Sequence, residues 1–439
     1  MIIADSLIAA GMSKAEASAK AESFAALERH LPTGGAPLRW FVPGRIEVLG
    51  KHTDYAGGRS LLCTAERGFC VVAMPRADVV VRIHDIVRRK NAHLLLSSDL
   101  AVDHFGWSVY PSVVLRRIAR NFPGATVGAD IVLASDLPSA AGMSSSSALV
   151  VAIFAVLSAV NHLAERHEYA ANITSADDLA GYLGCIENGQ TYKSLAGDRG
   201  VGTFGGSEDH TAILTSQPRH LKQYSFCPVR FERSVKVPDD CVFVIGVSGV
   251  VADKTGSAKE LYNRASLGVR SILDVWRKAS GSSASTLAEA ATASPAAPDQ
   301  IRTALRRANS DGANWLLNRF DQFLLESETL IPQAGDALAN SDLATFGWLV
   351  DQSQTATETL LGNQVPETIW LAAEARALGA RAASAFGAGF GGSVWAMVPA
   401  KDAEDFAKRW RKSYLHSGYD AARHSQFFVT PAGPPMIEF

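Results

Sequence analysis

Residues 137–148 combine glycine, alanine and serine, and they lead directly into an apolar run at residues 148–160. Small residues let backbone N–H groups approach an anion closely, and the run predicts a helix whose first turn carries partial positive charge. The four consecutive serines add hydroxyls that could hold a phosphate oxygen or a magnesium ion. The alternative is a turn that only caps a core helix, because serine is a favoured N-cap residue. The stretch predicts a phosphate site or a capped turn, and other segments must decide between them.

Residues 43–58 place a second group of polar side chains in a turn after a predicted strand. Arg45, Lys51, His52 and Asp54 lie in this turn, and Asp and His can each direct several hydrogen bonds to sugar hydroxyls. The segment superficially matches a Walker A loop, but the spacing is one residue too long and His52 stands where Ser or Thr should follow the lysine. We therefore reject a P-loop here.

Two acidic residues stand beside predicted secondary structure. Glu187 precedes Asn188 on a predicted helix, where a lone glutamate is most often solvated. Asp209 lies between a glycine turn and an apolar segment at residues 212–214, which we predict to be a strand. That position suits a general base, although an aspartate that caps a turn gives the same pattern.

A late glycine loop at residues 385–393 matches G-x-G-x-x-G, which alone is a weak signal. A dinucleotide site needs a strand before the loop and a helix after it. Here a predicted helix precedes the loop and a predicted strand at residues 394–398 follows it. We predict instead a glycine turn that brings its backbone close to substrate, phosphate or another loop.

The elements that must position these residues form an α/β pattern of the α+β kind. A leading helix is predicted over residues 3–30, short strands follow it, and amphipathic helices dominate the second half. A change of character near residue 235 predicts two lobes, residues 1–235 and 236–439. Residues 279–298 are nearly all Ala, Ser, Thr and Pro and predict a mobile surface loop or lid.

Composition narrows the class of protein. At 439 residues, with 47% hydrophobic and 20% charged residues, the chain has an ordinary globular composition and room for two or three domains. A net charge of −2 without a polybasic cluster argues against nucleic-acid and membrane-surface partners. Five scattered cysteines and the absence of a signal-peptide pattern predict reduced thiols and a cytoplasmic location. The sequence does not predict the oligomeric state.

Together these segments resemble the GHMP superfamily of small-molecule kinases, and within it the galactokinase-like sugar kinases. The turn that begins at Gly44 resembles the signature G-R-x-N-[LIV]-[IL]-G-E-H-x-D-Y, and the serine stretch resembles P-x-G-x-G-L-S-S-S-A-A. The late glycine loop resembles T-G-A-G-F-G-G, and Glu187-Asn188 resembles the family's Glu-Asn pair on a helix. Residues 207–210 stand where a motif like G-I-M-D-Q is expected. The five matches occur in the family's order and span most of the chain.

The resemblance implies a two-lobed GHMP kinase fold, with ATP and a sugar meeting in the cleft between the lobes. It makes Asp209 the base that faces the anomeric hydroxyl, and Arg45 the group that stabilises charge in the transition state. Mg²⁺ would be held by Ser146, or its neighbour Ser145, together with Glu187. The implied ATP-binding residues are Gly142, Met143, Ser144, Ser145, Ser146 and Ser147, and the implied sugar-binding residues are His52, Asp54 and Tyr262. The implied reaction moves the γ-phosphate of ATP to the anomeric hydroxyl of galactose or a related sugar.

Several positions depart from the resembled pattern. Lys51 replaces the Glu that binds the hydroxyl on the sixth carbon of the sugar in galactokinases. An ammonium would attract a carboxylate, so one hypothesis is that Lys51 binds a uronic acid such as galacturonate or glucuronate. The alternative is a neutral sugar, with Lys51 turned to solvent. Glu47 replaces Asn, residues 208–210 replace Met-Asp-Gln, and an insertion at residues 193–206 could reshape the sugar pocket or loop outward.

Two other functions stay open. Galactokinase-like proteins that bind a sugar and regulate without catalysis share the fold. Such a binder does not need Asp209, Arg45, Glu187 and the serine loop together. A GHMP kinase could also act on a non-sugar alcohol such as mevalonate, although the turn with His52 and Asp54 favours a polyhydroxy substrate.

Overall fold

The computed structural model describes residues 2–103, 106–139, 141–251, 259–308 and 312–439. Within them the fold is mixed α/β, as the sequence predicts. The strands are β1 (Leu38–Leu49), β2 (Arg59–Pro75), β3 (Val80–Asp85), β4 (Lys90–Leu95), β5 (Ala129–Ser135), β6 (His220–Ser225), β7 (Arg230–Lys236), β8 (Cys241–Val247), β9 (Ala382–Phe386), β10 (Ser393–Pro399), β11 (Gln426–Thr430) and β12 (Ile437–Glu438). The α-helices are α1 (Ile2–Ala9), α2 (Lys14–Glu28), α3 (Val109–Asn121), α4 (Ser145–Val160), α5 (His167–Ala170), α6 (Ala176–Asn188), α7 (Glu208–Thr215), α8 (Lys259–Ser280), α9 (Leu287–Thr292), α10 (Ala297–Arg307), α11 (Ala313–Leu324), α12 (Ile331–Ala339), α13 (Leu343–Ala356), α14 (Pro366–Ala377) and α15 (Ala403–Leu415). Two π-helical segments, Leu325–Leu330 and Thr357–Leu361, continue α11 and α13.

An eight-stranded sheet carries the first half of the fold. Its order is β12-β1-β2-β5-β3-β4, and the β6–β7 hairpin pairs with β2. Strands β1 and β2 run antiparallel, and their β-branched and aromatic residues favour the extended backbone. From Trp40 onward every residue of β1 is buried. The charged residues Arg45 and Glu47 on this strand must therefore find their partners inside the protein.

Helix α4 packs against β1 and β2 and fixes the position of the serine loop. The helix is apolar on nearly all sides, which is typical of a core helix. At its start the backbone N–H of Arg45 donates to the carbonyl of Met143 at 3.2 Å. The N-terminus of α4 is thereby held beside strand β1.

A four-stranded sheet in the order β11-β8-β10-β9 carries the second half, with α14 and α15 packed on it. The chain changes from one sheet to the other between β7 and β8, close to the boundary predicted at residue 235. The two domain limits themselves stay a prediction. The last strand, β12, returns to the first sheet and pairs with β1, so the C-terminus lies with the first half.

The structure differs from the sequence-based prediction in three segments. Residues 212–214 are helical, not a strand, because acidic residues in the first turn of α7 favour a helix N-terminus. The loop predicted over residues 279–298 instead contains α9 and the start of α10. Thr286 and Glu289 form a capping box there, and alanine is a strong helix former. The leading helix is two helices, which are separated at Gly11 with a φ of +95°.

All five cysteines are free, as predicted. None of the helices in the described ranges is both long enough and apolar enough to cross a membrane.

Candidate active site

Arg45 is the centre of the candidate site, because each nitrogen of its buried guanidinium faces an acceptor. Nε donates to Asp209 Oδ1 at 2.7 Å, and Nη1 donates to the carbonyl of Gly142 at 2.6 Å. Nη2 lies 3.6 Å from Glu47 Oε2, and Glu208 Oε1 lies 3.7 Å from Nε. Burial acts to lower the pKa of Arg45, but the charges of Asp209, Glu47 and Glu208 outweigh it and raise the pKa above its usual value. The guanidinium is therefore a fixed cation.

Helices α6 and α7 bring Glu187 and Asp209 to the start of α4. Ser147 Oγ donates to Glu187 Oε2 at 2.8 Å and lies 3.2 Å from Asp209 Oδ2. His210 Nε2 lies 3.3 Å from the same Glu187 oxygen. The resemblance implies Ser146 as the partner of Glu187, whereas the structure brings the hydroxyl of Ser147 there. The cause is the helical backbone, which turns Ser147 toward α6 and α7.

The serine loop and the late glycine loop are packed against each other. Gly142 has a φ of +75°, and a Cβ there would lie 2.9 Å from the carbonyl oxygen of Phe386. A Cβ at Gly387 would lie 2.7 Å from the carbonyl oxygen of Gly142, and Ser393 Oγ donates to the carbonyl of Ala141 at 2.6 Å. The late glycine loop joins β9 to β10, so a strand lies directly before it where a helix was predicted. The sequence predicted that this loop lies close to substrate, phosphate or another loop. The structure shows it close to another loop, the serine loop.

The residues at the start of α4 fit nucleotide phosphates. The hydroxyl of Ser144 is buried and has no hydrogen-bond partner among the described residues, and no side chain caps this end of the helix. Free donors at a helix N-terminus suit phosphate oxygens.

Glu187 and Ser147 also fit Mg²⁺. They offer the oxygen ligands that Mg²⁺ prefers, and this ion usually combines one or two carboxylates with phosphate oxygens. In the described part of the chain, no group of three or more His, Cys, Asp or Glu side chains could hold a metal ion. The residues therefore suit an ion that arrives with a nucleotide.

The turn after β1 forms a second wall of the site. His52 Nδ1 lies 2.8 Å from the hydroxyl oxygen of Tyr55, and Nε2 lies 3.0 Å from the carbonyl of Ala388. A carbonyl only accepts, so Nε2 carries a proton and donates to Ala388. The His52 ring packs on Tyr262, with 5.2 Å between centroids, and Asp54 Oδ1 accepts from the N–H of Tyr55 at 2.8 Å. The structure thus brings His52, Asp54 and Tyr262 together.

The insertion at residues 193–206 ends inside this wall. Asn188 Nδ2 donates to the carbonyl of Gly205 at 2.9 Å and holds the end of the insertion. A Cβ at Gly206 would clash with the carboxylate of Asp54. The sequence left open whether the insertion shapes the pocket or loops outward. Its last two residues, Gly205 and Gly206, line the pocket.

A cleft unites these groups. It is lined by Arg45, Glu47, His52, Asp54, Tyr55, Ser147, Glu187, Asn188, Gly205, Gly206, Glu208, Asp209, His210, Tyr262, Gly387 and Ala388. The lining comes from both halves of the chain, and its many polar side chains suit a small polar ligand. Five of the lining side chains are carboxylates and one is a guanidinium, so acidic groups dominate the cleft.

Lys51 lies outside this lining. Its side chain is buried, and Nζ donates to Ser353 Oγ on α13 at 3.1 Å. The adjoining N–H of Gly50 donates to Glu326 Oε1 at 2.8 Å. The alternative of a side chain turned to solvent is therefore wrong, whereas a contact of Lys51 with a substrate carboxylate stays a prediction. The physical reason is that the ammonium is enclosed by helices of the second half, with buried carboxylates nearby.

Sequence reasoning missed two carboxylates of the cleft. Burial raises the pKa of Glu47 to about 7, although Arg45 and Lys51 act to lower it. Burial, and then the charge of Glu47, raises the pKa of Glu208 well above its usual value. Glu208 Oε2 accepts from Ser60 Oγ at 2.6 Å. A signal for Glu47 was present, because strand alternation places residues 45 and 47 on one side of β1.

Three regions of the chain match known protein families. Residues 31–75 match the galactokinase galactose-binding signature, residues 109–188 match the N-terminal domain of GHMP kinases, and residues 335–416 match their C-terminal domain. The chain is 26% identical to a galactokinase of Roseiflexus sp. over 85% of this chain and 86% of that protein. It is 28% identical to a galactokinase of Lactiplantibacillus plantarum over 87% of this chain and 91% of that protein.

The fold also matches a solved structure. The galactokinase of Lactococcus lactis in complex with galactose superposes with a TM-score of 0.77 at 22% identity, over 96% of this chain and 99% of that chain. At this identity the likeness concerns the fold alone. The domain matches and the galactokinase relatives show an ATP-dependent phosphotransferase that acts on an alcohol group, with the GHMP kinase fold. Among such kinases the chain is similar to the galactokinase-like sugar kinases, which use ATP with Mg²⁺.

Proposed function

We propose that the protein transfers the γ-phosphate of ATP to the anomeric hydroxyl of galactose or a closely related neutral sugar. One observation carries the proposal, which is a continuous chain of contacts along one wall of the cleft, formed by Arg45, Asp209, Ser147 and Glu187. Tyr262 and the turn with His52 and Asp54 line the same cleft. Phosphoryl transfer needs positioning and charge neutralisation more than covalent chemistry, and this set of groups supplies both.

Asp209 is the proposed base. Its Oδ1 is held by Arg45 Nε at 2.7 Å, so the carboxylate has a fixed direction in which to accept the proton of a sugar hydroxyl. Arg45 keeps its charge in the buried site and can stabilise the negative charge that develops on the transferred group. These roles need no movement of either side chain away from the cleft.

The other proposed roles follow the geometry. Glu187 and a serine of the loop, Ser147 by contact or Ser146 by resemblance, hold Mg²⁺, which neutralises phosphate charge when bound. The loop of residues 142–147 and the first turn of α4 hold the phosphates. His52, Asp54 and Tyr262 bind the sugar. The five free cysteines suit the reducing cytoplasm, which also supplies ATP.

The charge of the cleft favours a neutral sugar over a uronic acid. A uronate would bring a further carboxylate into a lining with five acidic side chains and one guanidinium. Burial favours the neutral forms of Glu47 and Glu208. The repulsion would therefore come mainly from Asp54, Glu187 and Asp209. Like charges at close range disfavour such a ligand. The ammonium of Lys51, on which a uronate would depend, donates to Ser353 instead. Galactose and its neutral relatives avoid this repulsion.

A coupled assay of ATP consumption tests the proposal across D-galactose, L-arabinose, D-galacturonate, D-glucuronate and mevalonate. We expect turnover of a neutral sugar, with the product phosphorylated at the anomeric carbon by phosphorus NMR. Asp209→Asn should lower kcat by about 10²- to 10⁴-fold while sugar binding by calorimetry persists. Asp54→Asn, as the matched carboxylate, should mainly raise the KM for the sugar.

Other outcomes separate the alternatives. Sugar binding without turnover in the wild type would support a regulator. Turnover of mevalonate alone would support a kinase for a non-sugar alcohol. Turnover of a uronate but not of galactose would contradict the argument from the charge of the cleft.

A further inference from the structure

Glu47 contacts both Arg45 and the late glycine loop. Its burial lowers the stability of the fold, and these contacts do not offset that loss. Its Oε2 accepts from the N–H of Gly387 at 3.2 Å and lies 3.6 Å from Nη2 of Arg45. The residue is 3% exposed, and among the described residues its Oε1 has no hydrogen-bond partner. A buried carboxylate with an unsatisfied oxygen is unfavourable for folding. A residue of this kind is expected where function compensates for the loss of stability.

The position of Glu47 restricts Arg45 and the late glycine loop at the same time. Nε and Nη1 of Arg45 are held by Asp209 and Gly142, and Glu47 is the partner of the third nitrogen. With three partners in different directions, the guanidinium plane cannot rotate. The same carboxylate fixes Gly387, whose backbone lines the cleft and packs on the serine loop.

We propose that Glu47 is a positioning residue for phosphoryl transfer, which holds Arg45 and the Gly387 backbone in one arrangement. This inference rests on the proposed function as a sugar kinase. Glu47 acts through Arg45 and the glycine loop. It does not act on the reacting atoms themselves.

A purely structural role predicts a different response to the loss of charge. A structural carboxylate stabilises the fold, so replacing it with glutamine should lower the unfolding temperature. A positioning carboxylate retained at a cost should give the reverse, because the neutral amide avoids the desolvation penalty of a buried charge, while Asp209 and Glu208 still compensate Arg45. Since the amide oxygen of glutamine can still accept from Gly387, Glu47→Gln removes the charge and keeps the shape.

The experiment compares wild type, Glu47→Gln and the control Glu66→Gln at pH 8. Glu66 is a buried glutamate on β2 that binds Ser13 and does not line the cleft. We expect Glu47→Gln to lower kcat by about 10- to 100-fold with both KM values unchanged, since misplacement of a catalytic group acts on the transition state. Its unfolding temperature should equal or exceed that of wild type. Glu66→Gln should keep the wild-type kcat.

The kinetic outcomes that would overturn the positioning role are distinct. An unchanged kcat in Glu47→Gln would exclude it, and a loss confined to the KM of the sugar would make Glu47 a substrate ligand. A fall in kcat accompanied by a lower unfolding temperature would make its role structural. If the wild type turns over no sugar, the proposed function itself fails, whereas turnover by the wild type with an unchanged kcat in Glu47→Gln overturns only the positioning role.

Discussion

Strand β1 and the turn after it supply two buried ionic clusters, and only one of them opens onto the cleft. Arg45 and Asp209 line the cleft, whereas Lys51, Ser353 and Glu326 are enclosed behind it. Both clusters bury a cation together with carboxylates, so neither burial nor charge distinguishes them. Their neighbours do, because Arg45 contacts the serine loop and α7, while Lys51 contacts helices of the second half. Access to the cleft, and not burial or charge, therefore identifies the charged residues that are candidates for catalysis.

Arg45→Lys should give the largest effect on the cluster that opens onto the cleft. A lysine has no planar fork, so it cannot meet Asp209, the carbonyl of Gly142 and Glu47 together. We expect kcat to fall by about 10²- to 10³-fold in the coupled assay, with a smaller change in the KM for the sugar.

Arg59→Lys is the matched control for that substitution. Arg59 lies on β2 and forms ion pairs with Glu232 and Glu328 outside the cleft. Its replacement by lysine should leave kcat within about twofold, since partly exposed ion pairs contribute little. Equal losses in the two variants would remove the distinction between the clusters.

The sequence predicted the chemistry of the site better than its exact contacts. Arg45, Asp209 and Glu187 were identified from short motifs, and the structure brings them within reach of one another. Motif spacing is local, whereas the choice of Ser147 over Ser146 depends on how α4 is rotated against α6 and α7. That rotation is set by core packing, which no short motif encodes.

The position of Lys51 shows a second limit of sequence reasoning. Considered singly, Lys51 indicated a charged substrate, and Glu47 and Glu208 were noted only as replacements. In the structure Glu47 and Glu208 both lie beside Arg45, and the charge of Lys51 acts on Glu47. The proximity of these residues becomes visible only when positions distant in sequence are brought together.

Gly142→Ala should impair the phosphate end of the open cluster. The glycine has a φ of +75°, and a Cβ would lie 2.9 Å from the carbonyl oxygen of Phe386, so the loop must shift. We expect a rise in the KM for ATP and a loss of about 1–3 kcal/mol in the free energy of unfolding.

Gly379→Ala separates backbone strain from this contact. Gly379 also has a positive φ, of +100°, but no described atom lies within 4 Å of a Cβ there. Its replacement by alanine should reduce stability without changing the KM for ATP. A KM for ATP that is unchanged in Gly142→Ala would argue against a phosphate site in the serine loop.

The ionisation of Glu47 should make the free energy of unfolding depend on pH. Burial raises the pKa of Glu47 from 4.5 to about 7 in the folded protein. Its contribution to stability is therefore fully present below pH 4.5 and is lost as the pH rises through about 7. Relative to Glu47→Gln, the free energy of unfolding of wild type should fall by up to about 3 kcal/mol across that window, by urea titration. A constant difference between the two proteins from pH 5 to 8 would contradict the raised pKa.

Among these variants, Lys51→Met should change substrate choice least. It tests whether the enclosed cluster, Lys51 with Ser353 and Glu326, is separate from the cleft. If the ammonium touched a substrate carboxylate, its removal would weaken inhibition by galacturonate by about tenfold or more, the usual effect of losing a charge-assisted hydrogen bond. Because Nζ donates to Ser353 behind the cleft wall, we expect the inhibition constant of galacturonate against galactose to stay unchanged. A selective loss of galacturonate binding would return Lys51 to the substrate and make the second cluster part of the cleft.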